Sequence, residues 1–177
     1  LNEVYRLKKI VNDMLLLSKL EKTKVSLSGL IEINPKIIIT DLIEQYKILN
    51  TKVKYIIDIE EDLKVKIDSN DLKQLLIIFI DNSIKYNNKE NIEIEIKLRK
   101  EEGKLKLEVK DNGIGIPNNE IKNVMKRFYK VDKSRVNNNS FGIGLSIANR
   151  IANNYNAKID IESELDKYTT IKVVLKF

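Results

Sequence analysis

Two segments of strictly alternating hydrophobicity, "IEIEIKL" from Ile92 and "KLKLEVK" from Lys104, constrain the fold of this chain most strongly. A period of two is that of a strand with one buried and one solvated face. The residues Glu101-Glu102-Gly103 between them suit a tight turn, so the pair predicts a β-hairpin. The buried face of such a hairpin needs a second layer to cover it.

Helical periodicity supplies candidates for that layer. Apolar residues at three- and four-residue spacing predict helices at Asn2 to Lys24, Pro35 to Leu49, Ser69 to Tyr86 and Leu145 to Tyr155. Further strands are predicted in "VKYIIDI", "LKVKI", "KIDIES" and "TTIKVVLKF". This order indicates an α+β fold, with a mixed sheet of about five to six strands and three helices on one face. The amphipathic first helix precedes this unit.

Missing residue types exclude several chemistries. The 177 residues include no cysteine and no histidine, which excludes disulfides, thiol or imidazole zinc sites, and Ser-His or Cys-His catalysis. Only oxygen ligands remain for a divalent ion, and these suit Mg²⁺. No segment approaches the roughly 18 apolar residues of a membrane span, and no signal peptide is recognisable. We therefore expect a cytoplasmic fragment of a longer protein, without membrane contacts of its own.

The charge distribution favours phosphate over nucleic acid as the anionic partner. The net charge is +6, but lysines alternate with glutamates as on solvated strand faces, so we expect no nucleic-acid binding. From Pro117 to Ser140, six basic residues accompany two acidic ones, a local charge of +4. This basic segment lies between two Gly-x-Gly turns, an arrangement that invites a phosphate.

Four short motifs follow one another: "DNSIKY" on a helix, "DNGIGIP" after a strand, "RFYKVDKSR" in the basic segment and "FGIGLSI" at a helix start. Either Gly-x-Gly alone is weak, since Asn118 and Ile147 replace the third glycine of the dinucleotide-binding fingerprint. In this order, however, the four motifs resemble the ATP-binding catalytic domain of two-component sensor histidine kinases. The segment "RLKKIVNDMLLLSKLE" resembles the second helix of their dimerisation and phosphoacceptor domain.

The resemblance implies a domain organisation and an activity. Residues 1–26 would be part of the dimerisation domain, and residues 34–177 an ATP-binding domain with the two-layer α/β sandwich called the Bergerat fold. The activity would be transfer of the γ-phosphate from Mg-ATP to a histidine, for relay to an aspartate of a response-regulator receiver domain. That histidine is absent from this chain. The parent protein would be a homodimeric, membrane-anchored sensor.

The resemblance also assigns roles to single residues around the base and the metal. Asn82 matches the asparagine that binds Mg²⁺, Lys85 a phosphate-binding lysine, and Tyr86 an aromatic residue beside the nucleotide. Asp111 matches the carboxylate that accepts the adenine amino group. The remaining positions near the base are Gly113 and Gly115, which would give the backbone clearance, the apolar wall residues Ile114 and Ile116, and one of Thr169 and Thr170.

Other assigned residues concern the phosphates. The turn that wraps them would be formed by Gly142, Ile143, Gly144 and Leu145. Residues from about 118 to 140 match the lid over the nucleotide, with Phe128 and Tyr129 as its hydrophobic anchor. Within this lid, Lys130 and Arg135 match basic residues that approach the γ-phosphate and stabilise charge during transfer.

Three departures from the family pattern leave alternatives open. Ile78 replaces an asparagine, Lys130 a common arginine, and Ser140 the first glycine of the second turn. One alternative is an ATP-hydrolysing relative such as a gyrase, heat-shock chaperone or mismatch-repair ATPase, whose glutamate base would correspond to Ile78. The other is a non-catalytic nucleotide-binding module that regulates a partner.

Overall fold

In the computed structural model, the described residues are 2–22, 25, 29–131 and 141–176. The helices within these ranges are α1 (Asn2–Lys22), α2 (Pro35–Leu49), α3 (Ser69–Lys85) and α4 (Gly144–Asn154). The strands are β1 (Glu32–Ile33), β2 (Val53–Ile59), β3 (Val65–Lys66), β4 (Ile92–Glu101), β5 (Lys104–Asp111), β6 (Lys158–Glu164) and β7 (Tyr168–Lys176). No helix among these residues is both long and apolar enough to cross a membrane.

Five strands form one mixed sheet in the order β2-β4-β5-β7-β6, in which only the β2–β4 pair is parallel. The predicted hairpin is its centre, and Glu101 pairs with Lys104 across the turn. Glu102 and Gly103 both have positive φ, 50° and 70°, as a two-residue hairpin turn of right-handed twist requires. The α+β prediction, with a mixed sheet, is confirmed.

The alternation of the strands decides which face of the sheet is covered. Inward-facing apolar side chains of the central strands are buried: Ile94, Ile96, Leu98, Leu105, Leu107, Val109, Ile171 and Val173. The helices α2, α3 and α4 pack on them through Ile39, Ile43, Leu76, Phe79, Ile80, Ile147 and Ile151. The outward-facing charged side chains remain at the surface, which explains the lysine–glutamate alternation.

The strand predicted in "LKVKI" is present as the two-residue β3, which pairs with β1 in a separate two-stranded sheet. Two other local predictions were wrong. The N-cap of α3 is Asp68, ahead of the expected Ser69 or Asn70, and its carboxylate accepts the Asn70 amide at 2.8 Å. Helix α4 begins at Gly144 and ends at Asn154, one residue earlier at each end than expected.

The N-terminal helix is only partly buried. Its last two turns pack on α4 through Leu17 and Leu20, which are 6% and 7% exposed. Earlier in the same apolar stripe, Val4, Leu7 and Val11 are 68%, 61% and 53% exposed. The C-terminal end of α1 therefore belongs to the core of this unit, whereas its N-terminal part presents an apolar face.

Candidate functional site

A cavity of about 820 Å³ lies where the C-terminal half of α3, the end of β5 and the N-terminus of α4 meet. This is within the size range of pockets for small ligands. Most of the predicted site residues line it: Asn82, Lys85, Tyr86, Asp111, Ile114, Gly115, Ile116, Tyr129, Lys130, Gly142, Ile143, Gly144, Leu145 and Thr169. Gly113, Phe128 and Thr170 are described by the structure but are not among the lining residues. Arg135 and Ser140 lie outside the described residues. The structure thus brings three of the motifs, and Lys130 of the fourth, to one cavity.

Asp111 is the buried carboxylate of the cavity wall. It ends β5 in phase with Leu107 and Val109, so its side chain lies on the covered face of the sheet and is only 7% exposed. The Ser83 hydroxyl donates to Oδ2 at 2.9 Å, and the Gly113 amide donates to Oδ1 at 2.8 Å. Burial raises the pKa of Asp111, against these hydrogen bonds, which favour the charged form. A backbone hydrogen bond from Thr169 favours the charged form as well, and the carboxylate keeps acceptor capacity for one further donor in the cavity.

The glycines of the first turn make room for other parts of the protein. A Cβ atom on Gly113 would lie 2.5 Å from the Tyr86 carbonyl oxygen, and one on Gly115 would lie 2.2 Å from that of Glu164. Hydrogen bonds fix both contacts, from the Ile114 amide to the Tyr86 oxygen and from the Asp166 amide to the Ile114 oxygen. This loop therefore joins the end of α3 to the β6–β7 turn.

The second glycine turn has a similar role. A Cβ atom on Gly142 would lie 2.4 Å from the Tyr129 carbonyl oxygen, and the Gly142 oxygen accepts the Phe128 amide at 2.8 Å. Phe128 itself is 57% exposed and has a φ of +62°, so its predicted role as a packed anchor is wrong. The backbone of this segment, rather than the phenyl ring, is fixed against the turn.

Positive charge gathers at the other end of the cavity. Burial, with the nearby charges of Lys130 and Lys9, lowers the pKa of Lys85 to about 8, opposed by Asp81. Helix α4 begins here without a side-chain cap and without an acidic residue in its first turn. Its unpaired amides and the lysines therefore form an anion-binding end opposite Asp111.

The donor set fits Mg²⁺ when phosphates share it. Asn82 offers a neutral amide oxygen in the lining of the cavity that also carries Asp111 and the lysines. No group of three or more acidic side chains suited to a metal occurs among the described residues. An ion here would take most of its ligands from phosphates and water, which is how Mg²⁺ commonly binds in nucleotide sites.

Ser83 contributes to the site but was missed from the sequence. Ser83 occupies a buried position of α3, where its hydroxyl orients Asp111. Thr169 lines the cavity opposite Asp111 in the sheet, and its hydroxyl lies 3.0 Å from that of Ser163. Of the two threonines left open, Thr169 is the one that lines the cavity. The available signal for Ser83 was a polar side chain within the buried periodicity of the helix.

Residues 67–177 match the profile of the family described as histidine kinase-, DNA gyrase B-, and HSP90-like ATPase. The chain belongs to this ATPase family. Among histidine kinases, it is 35% identical over 178 residues to the signal transduction histidine-protein kinase ArlS of Staphylococcus haemolyticus. That alignment covers 99% of this chain and 39% of the relative, so the chain spans about two fifths of the relative's length.

Solved histidine kinase structures share the fold of this family member. Full-length ShkA in complex with AMPPNP has a TM-score of 0.82 at 19% identity, covering 97% of this chain and 36% of that one. The mycobacterial sensor histidine kinase MprB has a TM-score of 0.73 at 19% identity, covering 82% of this chain and 97% of that one. The ATPase family member described here therefore has the fold of histidine kinase catalytic domains.

Proposed function

We propose that this chain is the ATP-binding kinase part of a two-component sensor histidine kinase. It binds Mg-ATP and donates the γ-phosphate to a histidine that lies outside these residues. The observation that carries the proposal is the buried Asp111 carboxylate, held by Ser83 and Gly113 in a cavity that is also lined by Lys85, Lys130 and the uncapped N-terminus of α4. A base reader and a phosphate site in one cavity match a purine nucleotide.

Base selectivity follows from the hydrogen-bonding capacity of Asp111. Its remaining acceptor capacity suits the exocyclic amino group of adenine, which is a donor. Guanine carries a carbonyl oxygen at that position, and two acceptors facing each other in a buried site leave both unsatisfied. Ile116 and the Thr169 side chain lie on the same cavity wall and complete the base pocket.

The phosphate end stabilises the charge that shifts during transfer. The amides that begin α4, Lys85 and Lys130 surround the position of the triphosphate, and Arg135 is proposed to join them from the lid. Bound Mg²⁺, held by Asn82 and the phosphates, would neutralise further charge. Ile78 is 7% exposed and lines the cavity where an ATP-hydrolysing relative has its glutamate base, so no carboxylate activates water at that position.

The groups that accept the phosphoryl group lie outside these residues. We assign residues 1–26 to the dimerisation and phosphoacceptor domain and residues 34–177 to the ATP-binding domain. A homodimeric, membrane-anchored parent would supply the acceptor histidine, and a response-regulator receiver domain would take the phosphoryl group onto an aspartate. The similarity to ArlS kinases over both segments supports this assignment.

The test combines this chain with a separately produced helical domain of the parent that carries the histidine. With ATP labelled at the γ-phosphate and Mg²⁺, we expect acid-labile, base-stable label on the helical domain. A histidine-to-alanine variant of that domain should stay unlabelled. Tight Mg-ATP binding without transfer would contradict the kinase proposal and would favour the non-catalytic nucleotide-binding module.

Lys85 should make nucleotide binding pH-dependent. Because its pKa in the free protein is about 8, the ammonium is largely deprotonated above that pH and must regain a proton to pair with phosphate. Affinity for ATP should therefore fall as the pH rises from 7 to 9, with proton uptake on binding. Titration calorimetry in two buffers of different ionisation enthalpy measures that uptake. A Lys85→Arg variant, protonated throughout, should show none; equal uptake by both proteins would contradict the assignment.

A further inference from the structure

Helix α1 contributes to the same cavity, although it precedes the matched ATPase segment. Lys9 and Asp13, one turn apart on α1, both line the cavity together with Asn82 and Lys85. Lys9 is close enough to Lys85 for its charge to disfavour the protonated form of Lys85. Three lysines, Lys9, Lys85 and Lys130, therefore meet at the cationic end.

Two carboxylates face these lysines. Asp81 of α3 accepts the Tyr46 hydroxyl at 2.6 Å, so part of its charge is already directed away from the cavity. Asp13 is partly buried, and this burial raises its pKa against the charge of Lys9. Two more carboxylates line the cavity, Asp111 and Glu120, and each accepts a hydrogen bond from a protein hydroxyl, that of Ser83 and that of Tyr129 respectively. The three lysines are the cations of the lining and can bind a polyphosphate, whose charge exceeds that of any side chain.

A second set of contacts fixes α1 in this position. The Arg150 side chain of α4 donates to the carbonyl oxygens at the end of α1, from Nε to Leu20 at 3.1 Å and from Nη2 to Glu21 at 2.8 Å. Asn154 Nδ2 also donates to the Leu20 oxygen, at 3.4 Å, and Arg127 pairs with the Glu21 carboxylate. These groups satisfy carbonyls that a helix end leaves unpaired.

We propose that Lys9 binds the polyphosphate of the nucleotide, and that Arg150 positions it by holding the end of α1 against α4. The inference rests on the proposed Mg-ATP site and adds to it a residue from the preceding helix. If Lys9 touches the nucleotide only when α1 is docked, then nucleotide binding strengthens docking of α1 by the same factor by which docking strengthens nucleotide binding.

The experiment compares Lys9→Gln with Lys8→Gln in the full 177-residue chain. Both variants lose one lysine charge from the same helix. Lys8 is exposed and is not among the cavity-lining residues, so its variant is a matched control for charge. Titration with Mg-ATP, Mg-ADP and adenosine should show weaker ATP binding in Lys9→Gln by about threefold, as for an ion pair of an exposed lysine. The loss should be smaller for ADP and absent for adenosine and for Lys8→Gln.

Arg150→Gln tests the positioning step. In that background, Lys9→Gln should weaken ATP binding by less than about 1.5-fold, because residues that act through one docked helix are not additive. The inference would be overturned if the Lys9 and Lys8 variants bound Mg-ATP equally well, or if Lys9→Gln weakened adenosine binding as much as ATP binding. It would also be overturned if the losses of ATP affinity caused by Lys9→Gln and Arg150→Gln multiplied in the double variant. Failure of the unaltered chain to bind Mg-ATP would instead remove the proposed function along with it.

Discussion

Replacing Asp111 with asparagine is expected to weaken ATP binding by about 10- to 150-fold, the range for loss of one hydrogen bond to a charged acceptor. The substitution is isosteric. The amide oxygen can still accept from Gly113, as Oδ1 does at 2.8 Å. The amide nitrogen then takes the place of Oδ2 and presents a donor to the adenine amino group, which is itself a donor. Calorimetric titration of both proteins with Mg-ATP measures the difference.

A matched control separates this effect from a general loss of charge. Asp160→Asn makes the same chemical change on β6, where the carboxylate pairs with Lys158 and is not among the cavity-lining residues. It should leave ATP affinity unchanged. Because burial raises the pKa of Asp111, acidification should weaken binding by the unaltered chain more than by Asp111→Asn. Equal ATP affinity of Asp111→Asn and the unaltered chain would refute adenine recognition by this residue.

The centre of the sheet was predictable because its signal is local. Alternation over β4 and β5 fixes both the strands and the side that faces the core, and Glu102-Gly103 fixes the turn. The β1–β3 pair was not predictable, since it joins two-residue strands more than thirty positions apart without a periodic pattern. The cap of α3 was missed because Asp68, Ser69 and Asn70 are all good N-cap residues in a row.

The residues of the site also include some that the sequence predicts and some that it does not. Motif order placed Asn82, Lys85, Asp111 and the second glycine turn at one cavity, since each lies at the end of an element that was itself predictable. The contributions of Ser83 and Lys9 to the cavity were not predicted from the sequence, because their positions depend on how α3 crosses β5 and how α1 packs on α4. No spacing within a single element encodes those relations.

The glycines of the first turn show the clearest difference between resemblance and geometry. The resemblance explains Gly115 by clearance for the base. The structure adds that its missing Cβ faces the backbone of the β6–β7 turn, at 2.2 Å from the Glu164 oxygen and 2.8 Å from the Leu165 Cα. Next to this turn, the Ser163 hydroxyl of β6 accepts the Ile116 amide at 2.8 Å. Gly115 therefore carries a packing constraint on the fold, independent of any ligand.

Gly115→Ala is accordingly expected to destabilise the protein by about 3–4 kcal/mol, near the upper end for single substitutions. Its φ of +70° disfavours any side chain, and the new methyl group must also displace backbone atoms that cannot rotate away. Gly103→Ala isolates the first cost. Gly103 has the same φ of +70° but nothing within 4 Å of a Cβ atom, so alanine there should cost about 1–2 kcal/mol.

Urea unfolding of the two variants and the unaltered chain measures this difference through the midpoints, provided that the slopes agree. If Gly115→Ala lowers the free energy of unfolding more than Gly103→Ala does, the difference is the cost of separating the Gly115 loop from the β6–β7 turn. That loop also holds the amide of Gly113 against Asp111, so Gly115→Ala should lose ATP affinity even where it is still folded, whereas Gly103→Ala should not. Equal destabilisation by the two alanines would mean that the loop relaxes freely and that Gly115 serves the nucleotide alone.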